Sequence, residues 1–289
     1  MSTGAVLRAR YPRAVAQIDR PIGGTLRTLQ NIGNLSRFSR TSIGQIGWAL
    51  HRYRMEMLRL IAETGMGAGA MAVVGGTVAI VGFVTASGSS LAAIQGFASL
   101  GNIGVEAFTG FFAALADVRI AAPVSCGIAL AATVGAGATA QLGAMRISEE
   151  IDALEVMGIK STAYLVSTRI VAGVVAIIPL YAVAITMSFL TAQVITTVFY
   201  GQSSGTYEHY FRTFLRPEDM GWSMLEVMII AVVVMLTHCY YGYNASGGPV
   251  GVGEAVGRSM RLSLVSVVIV VLLASLALYG VDPNFNLTV

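Results

Sequence analysis

Charged residues are scarce in this sequence of 289 residues: they make up 11% of the chain, while hydrophobic residues make up 55%. An average soluble domain carries roughly 25% charged residues. So few charges could not cover the surface of a soluble protein of this size, which excludes an ordinary soluble domain. The net charge of +3 is also too small to indicate a nucleic-acid partner. The composition therefore predicts an integral membrane protein.

Cysteine and the common catalytic motifs are almost missing as well. The two cysteines, Cys126 and Cys239, lie in apolar runs without metal-ligand spacing, and we interpret them as small buried hydrophobic residues. No G-x-x-x-x-G-K-[ST] loop is present, so this chain is not expected to hydrolyse ATP. The stretch Gly201–Gly205 matches G-x-S-x-G, but no strand precedes it, which argues against a nucleophile elbow. We expect no catalytic residue, metal or cofactor in this chain.

Long apolar runs are what the sequence has in abundance, and a membrane helix needs about 20 such residues. Five runs qualify as spans: Met66–Ala86, Ile120–Leu142, Ile170–Val198, Trp222–Tyr243 and Leu262–Val281. The moderately apolar stretch Leu91–Ala116 leaves three alternatives open, namely a sixth span, a re-entrant segment or an outer extension of the second helix. The pattern predicts an all-α fold, with one domain over 1–289 and its membrane bundle over 66–281.

The distribution of Lys and Arg predicts the orientation of the spans. With a cytoplasmic N-terminus, segments 1–65, 143–169 and 244–261 lie inside and hold 15 of the 18 cationic residues. Arg212 and Arg216 are then the cations of the outer segments. Five spans place the cation-free C-terminal tail outside. We therefore predict a multi-pass protein of the inner membrane with a cytoplasmic N-terminus and an extracytoplasmic C-terminus.

The N-terminal segment 1–65 is basic and interrupted. Ten arginines precede position 60 and alternate with aliphatic and aromatic residues such as Trp48. This mixture is typical of an amphipathic helix at an anionic membrane surface. The alternative is a cytoplasmic helix that packs on the rest of the same protein.

The stretch 147–160, ISEEIDALEVMGIK, is rich in acid for so apolar a chain. Read as a helix, it places Ile147, Ile151, Leu154 and Met157 on one face. Ser148 is a candidate N-cap, and Gly158 is a plausible end of the helix. Because its four carboxylates, Glu149, Glu150, Asp152 and Glu155, exclude it from lipid, we expect the helix to lie at the inner surface. It either docks on a soluble partner or is merely solvated.

Two specific stretches of this sequence resemble the MlaE/YrbE family of permeases. They are GAMRISEEIDALEVMGIK, which ends at Lys160, and CYYGYNASGGPVGVGEAVGRS, Cys239–Ser259. A looser match is RIAAP, Arg119–Pro123, where the family shows RELGP. The resemblance extends over residues 40 to 280.

The resemblance implies an MlaE-type fold with an N-terminal interfacial helix, five transmembrane helices and a cytoplasmic coupling helix over 147–160. It implies a dimeric cytoplasmic ABC ATPase that holds ATP and Mg and docks on the coupling helix. It also implies a homologous permease subunit, an extracytoplasmic assembly of MCE proteins and a lipid substrate. The residues of the coupling site would be Ile147, Glu149, Glu150, Ile151, Asp152, Leu154, Glu155 and Met157.

Departures from the family pattern indicate a divergent subunit. Ile120 stands where the family has an acid, Thr133 where an Arg is common, and Gln141 where a Glu is usual. Polar groups inside a membrane are costly and often functional. Their loss suggests the second type of permease in an actinobacterial Mce pair, and hence a heterodimer.

The candidate lipid pocket lies near the outer ends of the spans. Four residues are assigned to it: Glu106, Phe112, Arg119 and Pro123. Arg119 would meet a lipid carboxylate or phosphate there. The alternative is that Arg119 snorkels to the headgroups and serves as an anchor.

We therefore predict a permease that moves a fatty acid, mycolic acid or sterol, with import as the expected direction. One rival is an intramembrane lipid-modifying enzyme that uses Asp117, Arg119, Glu106 or His238. Two or more of those residues would have to converge at one depth, whereas the topology places His238 near the inner face and the others near the outer face. The other rival is an ion-coupled carrier, which would show inverted repeats that this sequence does not display.

Overall fold

The computed structural model describes residue 30 and residues 33–66 and 70–279. The chain divides into two compact units, Met1–Gly44 and Gln45–Val289. Within the first unit, residues 33–44 form a helix (α1). The arginines predicted to lie at the membrane surface before residue 30, and the predicted outer tail over 280–289, fall outside the described residues.

The second unit contains nine helices in its described part and no strand. They are α2 Ile46–Arg52, α3 Arg54–Met66, α4 Ala70–Gly101, α5 Glu106–Ile147, α6 Glu150–Val156, α7 Thr162–Phe199, α8 Ser204–Phe214, α9 Pro217–Tyr243 and α10 Gly248–Tyr279. The first turn of α5, Glu106–Phe108, is a 3-10 turn. The helices α4, α5, α7, α9 and α10 are long and apolar enough to cross a membrane, which confirms the prediction of five spans.

The ambiguous stretch between the first two predicted spans is divided between two helices. Residues 91–101 continue α4, and residues 106–116 form the beginning of α5, so the stretch is not a span of its own. The α5 helix covers 42 residues. At 1.5 Å per residue this is about 63 Å, roughly twice the hydrocarbon thickness of a bilayer. Both helices therefore extend beyond the membrane core.

Successive spans alternate in direction, which defines two ends of the bundle. At the end that we call the α6 end, α5 and α9 finish and α7 and α10 begin. At the opposite end, the α8 end, α4 and α7 finish and α5 and α9 begin. Helices α2 and α3 belong to the α6 end, where Gln45 accepts a hydrogen bond from Thr162 of α7 over 2.8 Å.

A short helix that the sequence did not predict covers the α8 end. The α8 helix lies against the first turns of α5, and Gly110 permits the close approach. A Cβ atom at Gly110 would lie 2.4 Å from the carbonyl oxygen of Tyr207. Tyr207 is buried with Ala113 and Ala192, so α8 joins the outer parts of α5 and α7 in one small apolar cluster.

The main core lies between α5, α7 and α9. Its fully buried members include Leu130 of α5, Ile177 of α7 and Ile230 of α9. In contrast, only 28% of the apolar window of α4 and 17% of that of α10 is buried. The outward faces of α4 and α10 are thus the exposed apolar surfaces of the bundle, as expected of helices that contact lipid or another membrane subunit.

Candidate functional site

The helix predicted over 147–160 is interrupted near its start. Ile147 is the last residue of α5, and α6 begins at Glu150. Between them Glu149 adopts a left-handed conformation with φ of 61°, the only positive φ of a residue other than glycine among the described residues. The predicted N-cap, Ser148, instead donates its hydroxyl to the carbonyl oxygen of Ala144 and to the carboxylate of Glu150, both over 3.0 Å. Gly158, with φ of 76°, follows the end of α6 as predicted.

Because of this break, the four predicted apolar residues do not share one face. Ile151 is fully buried and Leu154 is half-buried, so these two anchor α6 to the bundle. Ile147 and Met157 are 38% and 66% exposed. The single-face prediction is therefore wrong, since it required one uninterrupted helix from Ile147 onward.

The most exposed apolar side chain of this region is Val156, which is 89% exposed and lies beside Met157. Glu149 and Glu150 are exposed on the same short segment. We call Glu149, Glu150, Val156 and Met157 the α6 face. It combines negative charge with an exposed apolar pair at the extremity of the bundle.

The other two acids of the segment are engaged within the chain. Asp152 forms an ion pair with Arg146 of α5 over 2.5 Å. Glu155 accepts hydrogen bonds from the Ser161 hydroxyl over 2.6 Å and from the Tyr243 hydroxyl over 3.0 Å. The hydrogen bond from Ser161, and to a lesser extent that from Tyr243, lowers the pKa of the Glu155 carboxyl below its ordinary value. The side chains of α6 thus connect it to α5, to the start of α7 and to the end of α9.

The residues of the predicted lipid pocket contact different parts of the chain. Glu106 is exposed, and its carbonyl oxygen accepts a hydrogen bond from Gln202. Phe112 packs against Gly96 of α4, where an added Cβ would lie 2.4 Å from its ring. Pro123 is buried. These contacts lie within the protein, and whether the four residues line a pocket stays a prediction.

Arg119 has a partner that the sequence analysis did not consider. Its guanidinium lies 3.4 Å from the Asp219 carboxylate in the first turn of α9, and the two side chains are 25% and 13% exposed. Arg119 is therefore neither a simple headgroup anchor nor a cation presented only to substrate in this conformation. The pair connects α5 to α9 near the α8 end.

A π-helical turn, Asp117–Ala121, lies just before Pro123 and has a direct cause. The amide of Ala122 bonds to the carbonyl of Asp117, five residues back. The next bond of that register would need an N–H at Pro123, which proline lacks. The carbonyl of Val118 instead accepts the Ser223 hydroxyl of α9 over 2.6 Å.

Asp219, Ser223 and Glu226 therefore form a polar stripe on α9 that the sequence analysis missed. Their spacing of i, i+4 and i+7 places them on one helix face. Asp219 and Ser223 have partners on α5, whereas the fully buried carboxyl of Glu226 has no hydrogen-bond partner among the described residues. The helical spacing of these polar residues within an apolar run was the available signal.

His238 lies far from the other candidate residues of an intramembrane enzyme. Asp117 accepts hydrogen bonds from Ser89 of α4. His238 instead contacts Thr139 of α5 over 2.8 Å and packs against Gly135. Since positions 117 and 139 are 22 residues apart on α5, they are separated by about 33 Å. A shared reaction centre for Asp117 and His238 is thus excluded in this conformation.

Taken together, five spans and a short acidic helix beyond their ends define a multi-pass membrane protein of the permease class. A family model described as permease MlaE matches residues 66–277. The chain belongs to this family of permeases, which are transporters rather than enzymes.

Several curated proteins are similar to this chain. A probable ABC transporter permease protein of Rickettsia felis is 22% identical over 85% of this chain and 91% of its own length. A protein of the same description from Rickettsia bellii is 24% identical over 66% of this chain and 73% of its own. TRIGALACTOSYLDIACYLGLYCEROL 1, a chloroplastic protein of Arabidopsis thaliana, is 29% identical over 58% of this chain. That match spans 48% of the Arabidopsis protein.

Proposed function

We propose that this chain is the membrane subunit of an ATP-driven lipid transporter and that ATP is hydrolysed by a separate subunit. The observation that carries the proposal is the α6 face, an exposed acidic and apolar surface on a helix connected to three membrane helices. An ATP-driven transporter whose own chain has no nucleotide-binding loop needs a surface of this kind, through which a partner ATPase can move it.

The chemistry of the α6 face favours a protein partner over lipid. Glu149 and Glu150 would be costly to transfer into hydrocarbon. Val156 and Met157 would be unfavourably hydrated if water were their only neighbour. A groove of a cytoplasmic ABC ATPase dimer, with apolar walls and a basic rim, satisfies both requirements. ATP and Mg would be bound by that ATPase and not by this chain.

The charges at the two ends of the bundle support a cytoplasmic α6 end. Eight cationic residues lie at or near this end, namely Arg52, Arg54, Arg59, Arg146, Lys160, Arg169, Arg258 and Arg261, whereas three lie at or near the α8 end, namely Arg119, Arg212 and Arg216. By the positive-inside rule, the α6 end then faces the cytoplasm across the inner membrane. The N-terminus lies on the same side, and the C-terminus lies on the extracytoplasmic side.

The remaining partners follow from the exposed surfaces and the family. The apolar outward faces of α4 and α10 could be covered by a homologous permease, and the divergent RIAAP segment favours a heterodimer, as in actinobacterial Mce pairs. An extracytoplasmic MCE assembly would meet the α8 end. The Arabidopsis relative is named after a glycolipid, which supports a lipid as the class of substrate. A fatty acid, mycolic acid or sterol is the expected cargo, with import as the direction.

We propose that Glu106, Phe112, Arg119 and Pro123 line a lipid pocket, and the ion pair of Arg119 sets a condition for lipid binding there. Arg119 can reach a lipid carboxylate or phosphate only if its ion pair with Asp219 opens or is shared. Opening would separate α5 from α9 at the α8 end. Lipid entry on that side would therefore accompany a rearrangement of these two helices.

The docking of the ATPase can be tested by reversing the α6 face. We expect Val156→Asp or Glu150→Lys to reduce the amount of ATPase that co-purifies with the permease by at least tenfold, since each removes a central contact of an interface. The matched control is Ile103→Asp, which adds the same charge at a residue 71% exposed at the α8 end. ATPase that remains bound to both α6 variants would contradict the proposal.

A further inference from the structure

Resting on the proposed function, we infer that Glu155 is the positioning residue that transmits movement of α6 to α7 and α9. The carboxylate of Glu155 and the hydroxyls of Ser161 and Tyr243 form a compact triangle, which we call the Glu155 joint. Glu155 lies on α6, Ser161 directly precedes α7, and Tyr243 is the last residue of α9. Three elements that are remote in sequence thus meet at one carboxylate.

The three distances within the Glu155 joint are all short enough for hydrogen bonds, although the two hydroxyl protons form only two of them at a time. One carboxylate oxygen, Oε1, accepts from Ser161 over 2.6 Å and from Tyr243 over 3.0 Å. The two hydroxyl oxygens are themselves 2.8 Å apart. Each hydroxyl has a single proton to donate, so an ionised carboxylate is the acceptor that can use both. Bonds to a charged acceptor are roughly twice as strong as neutral ones.

The short length of α6 makes such a connection necessary. A helix of seven residues has little stability of its own, so its position depends on what holds it. Ile151 anchors it by burial, and the Asp152 to Arg146 ion pair holds it to α5, the helix that immediately precedes it. The Glu155 joint connects α6 to α7 and α9 by side-chain hydrogen bonds.

The residues that would bind a partner are different from those that would transmit its movement to the bundle. Glu155 is directed to Ser161 and Tyr243, whereas Glu150, Val156 and Met157 form the surface offered to a partner. Ser161 is 3% exposed, so it is not available to an ATPase. Loss of the joint should therefore leave docking intact and disconnect docking from the bundle.

The test uses the permease in complex with its ATPase, reconstituted in vesicles of phosphatidylethanolamine and phosphatidylglycerol. Spin labels on cysteines introduced at Val198 of α7 and Leu225 of α9 report the distance between these helices near the α8 end. Both positions are exposed, and the native Cys126 and Cys239 are buried, so labelling is selective. The distance distribution is measured without nucleotide and with a non-hydrolysable ATP analogue.

We expect the analogue to shift the distance distribution in the otherwise native complex and in the control Glu254→Gln, which changes an exposed acid of α10 outside the α6 face and the Glu155 joint. In Glu155→Gln and in the conservative Tyr243→Phe, the fraction of molecules that shift should fall about tenfold, as expected for loss of a charged hydrogen bond. The ATPase should co-purify with these variants in unchanged amount. Tyr243→Phe retains the ring and guards against misfolding as an explanation.

Three results would overturn the inference. They are an unchanged shift in both joint variants, loss of the bound ATPase from them, or equal loss of the shift in Glu254→Gln. Failure of the proposed function is distinguishable, because then the native chain would retain no ATPase and would show no response to the nucleotide analogue.

Discussion

The acids of α6 and the acid inside α9 occupy opposite surroundings. Glu155 lies on an exposed helix and accepts two hydrogen bonds from hydroxyl groups. Glu226 is fully buried within a membrane-spanning helix and has no partner among the described residues. A carboxylate at Glu155 costs the folded state little free energy and can connect helices. The buried carboxyl of Glu226 is costly to the folded state. The comparison indicates that stability explains the first carboxyl and does not explain the second.

The largest expected effect comes from exchanging these two carboxyls for leucine. Glu226→Leu should raise the free energy of unfolding by about 2 kcal/mol, because an unpartnered polar group is replaced by an apolar one of similar size. Glu155→Leu should lower it, because the Ser161 and Tyr243 hydroxyls lose their charged acceptor. Thermal unfolding of both variants in mild detergent measures the two shifts. Destabilisation by both would imply that Glu226 has a stabilising partner, and stabilisation by both would imply that the hydrogen bonds of Glu155 do not stabilise the fold.

A smaller effect is expected at the hydrogen bond between Ser223 and the Val118 carbonyl inside the bundle. Ser223→Ala removes the donor to the Val118 carbonyl, which the π turn before Pro123 leaves without its usual amide. We expect a loss of about 1.5 kcal/mol, within the range for a buried carbonyl that loses its donor. Ser87→Ala is the matched control, since Ser87 is exposed and bonds only to Phe83 of its own helix. If the two variants unfold at the same temperature, the explanation of the π turn is wrong.

The smallest effect belongs to the α6 end. Glu149→Gly should raise the free energy of unfolding by up to ~1 kcal/mol, since glycine adopts a positive φ without the steric cost of a side chain. Glu150→Gly, one position later and inside α6, should lower it by about the same amount. Chemical denaturation of the two variants provides the measurement. Destabilisation by both substitutions would mean that the left-handed turn is not where α6 begins.

Much of the architecture could be predicted because apolar runs of about 20 residues have few alternatives in a membrane. The spans around Ile177 and Ile230 follow directly from composition. The helix boundaries did not follow, because α4 and α5 continue beyond the membrane core into moderately polar segments. The α8 helix was missed for a related reason: its position depends on the close contact between Gly110 and Tyr207, a pair that local sequence does not reveal.

Some features of the candidate site could likewise be predicted from local sequence, and others could not. The acidic character of 147–160 and its helical tendency are local properties, and α6 retains both. The break at Glu149 and the burial of Ile151 depend on the path that the chain takes from α5 to α7. Likewise, Arg119 could be identified as an intramembrane charge, but its pairing with Asp219 joins positions 100 residues apart.

Hydropathy and charge along the chain are sufficient to predict five helices long and apolar enough to cross a membrane, together with an acidic helix that cannot enter lipid. Both properties are additive over a local segment, so they can be evaluated without knowledge of the fold. Which carboxyl connects which helices depends on packing, because a hydrogen bond over 3.0 Å between Glu155 and Tyr243 requires a relative placement of α6 and α9 that spacing does not encode. Partners of polar groups are properties of the packed bundle and not of the sequence segments that supply them.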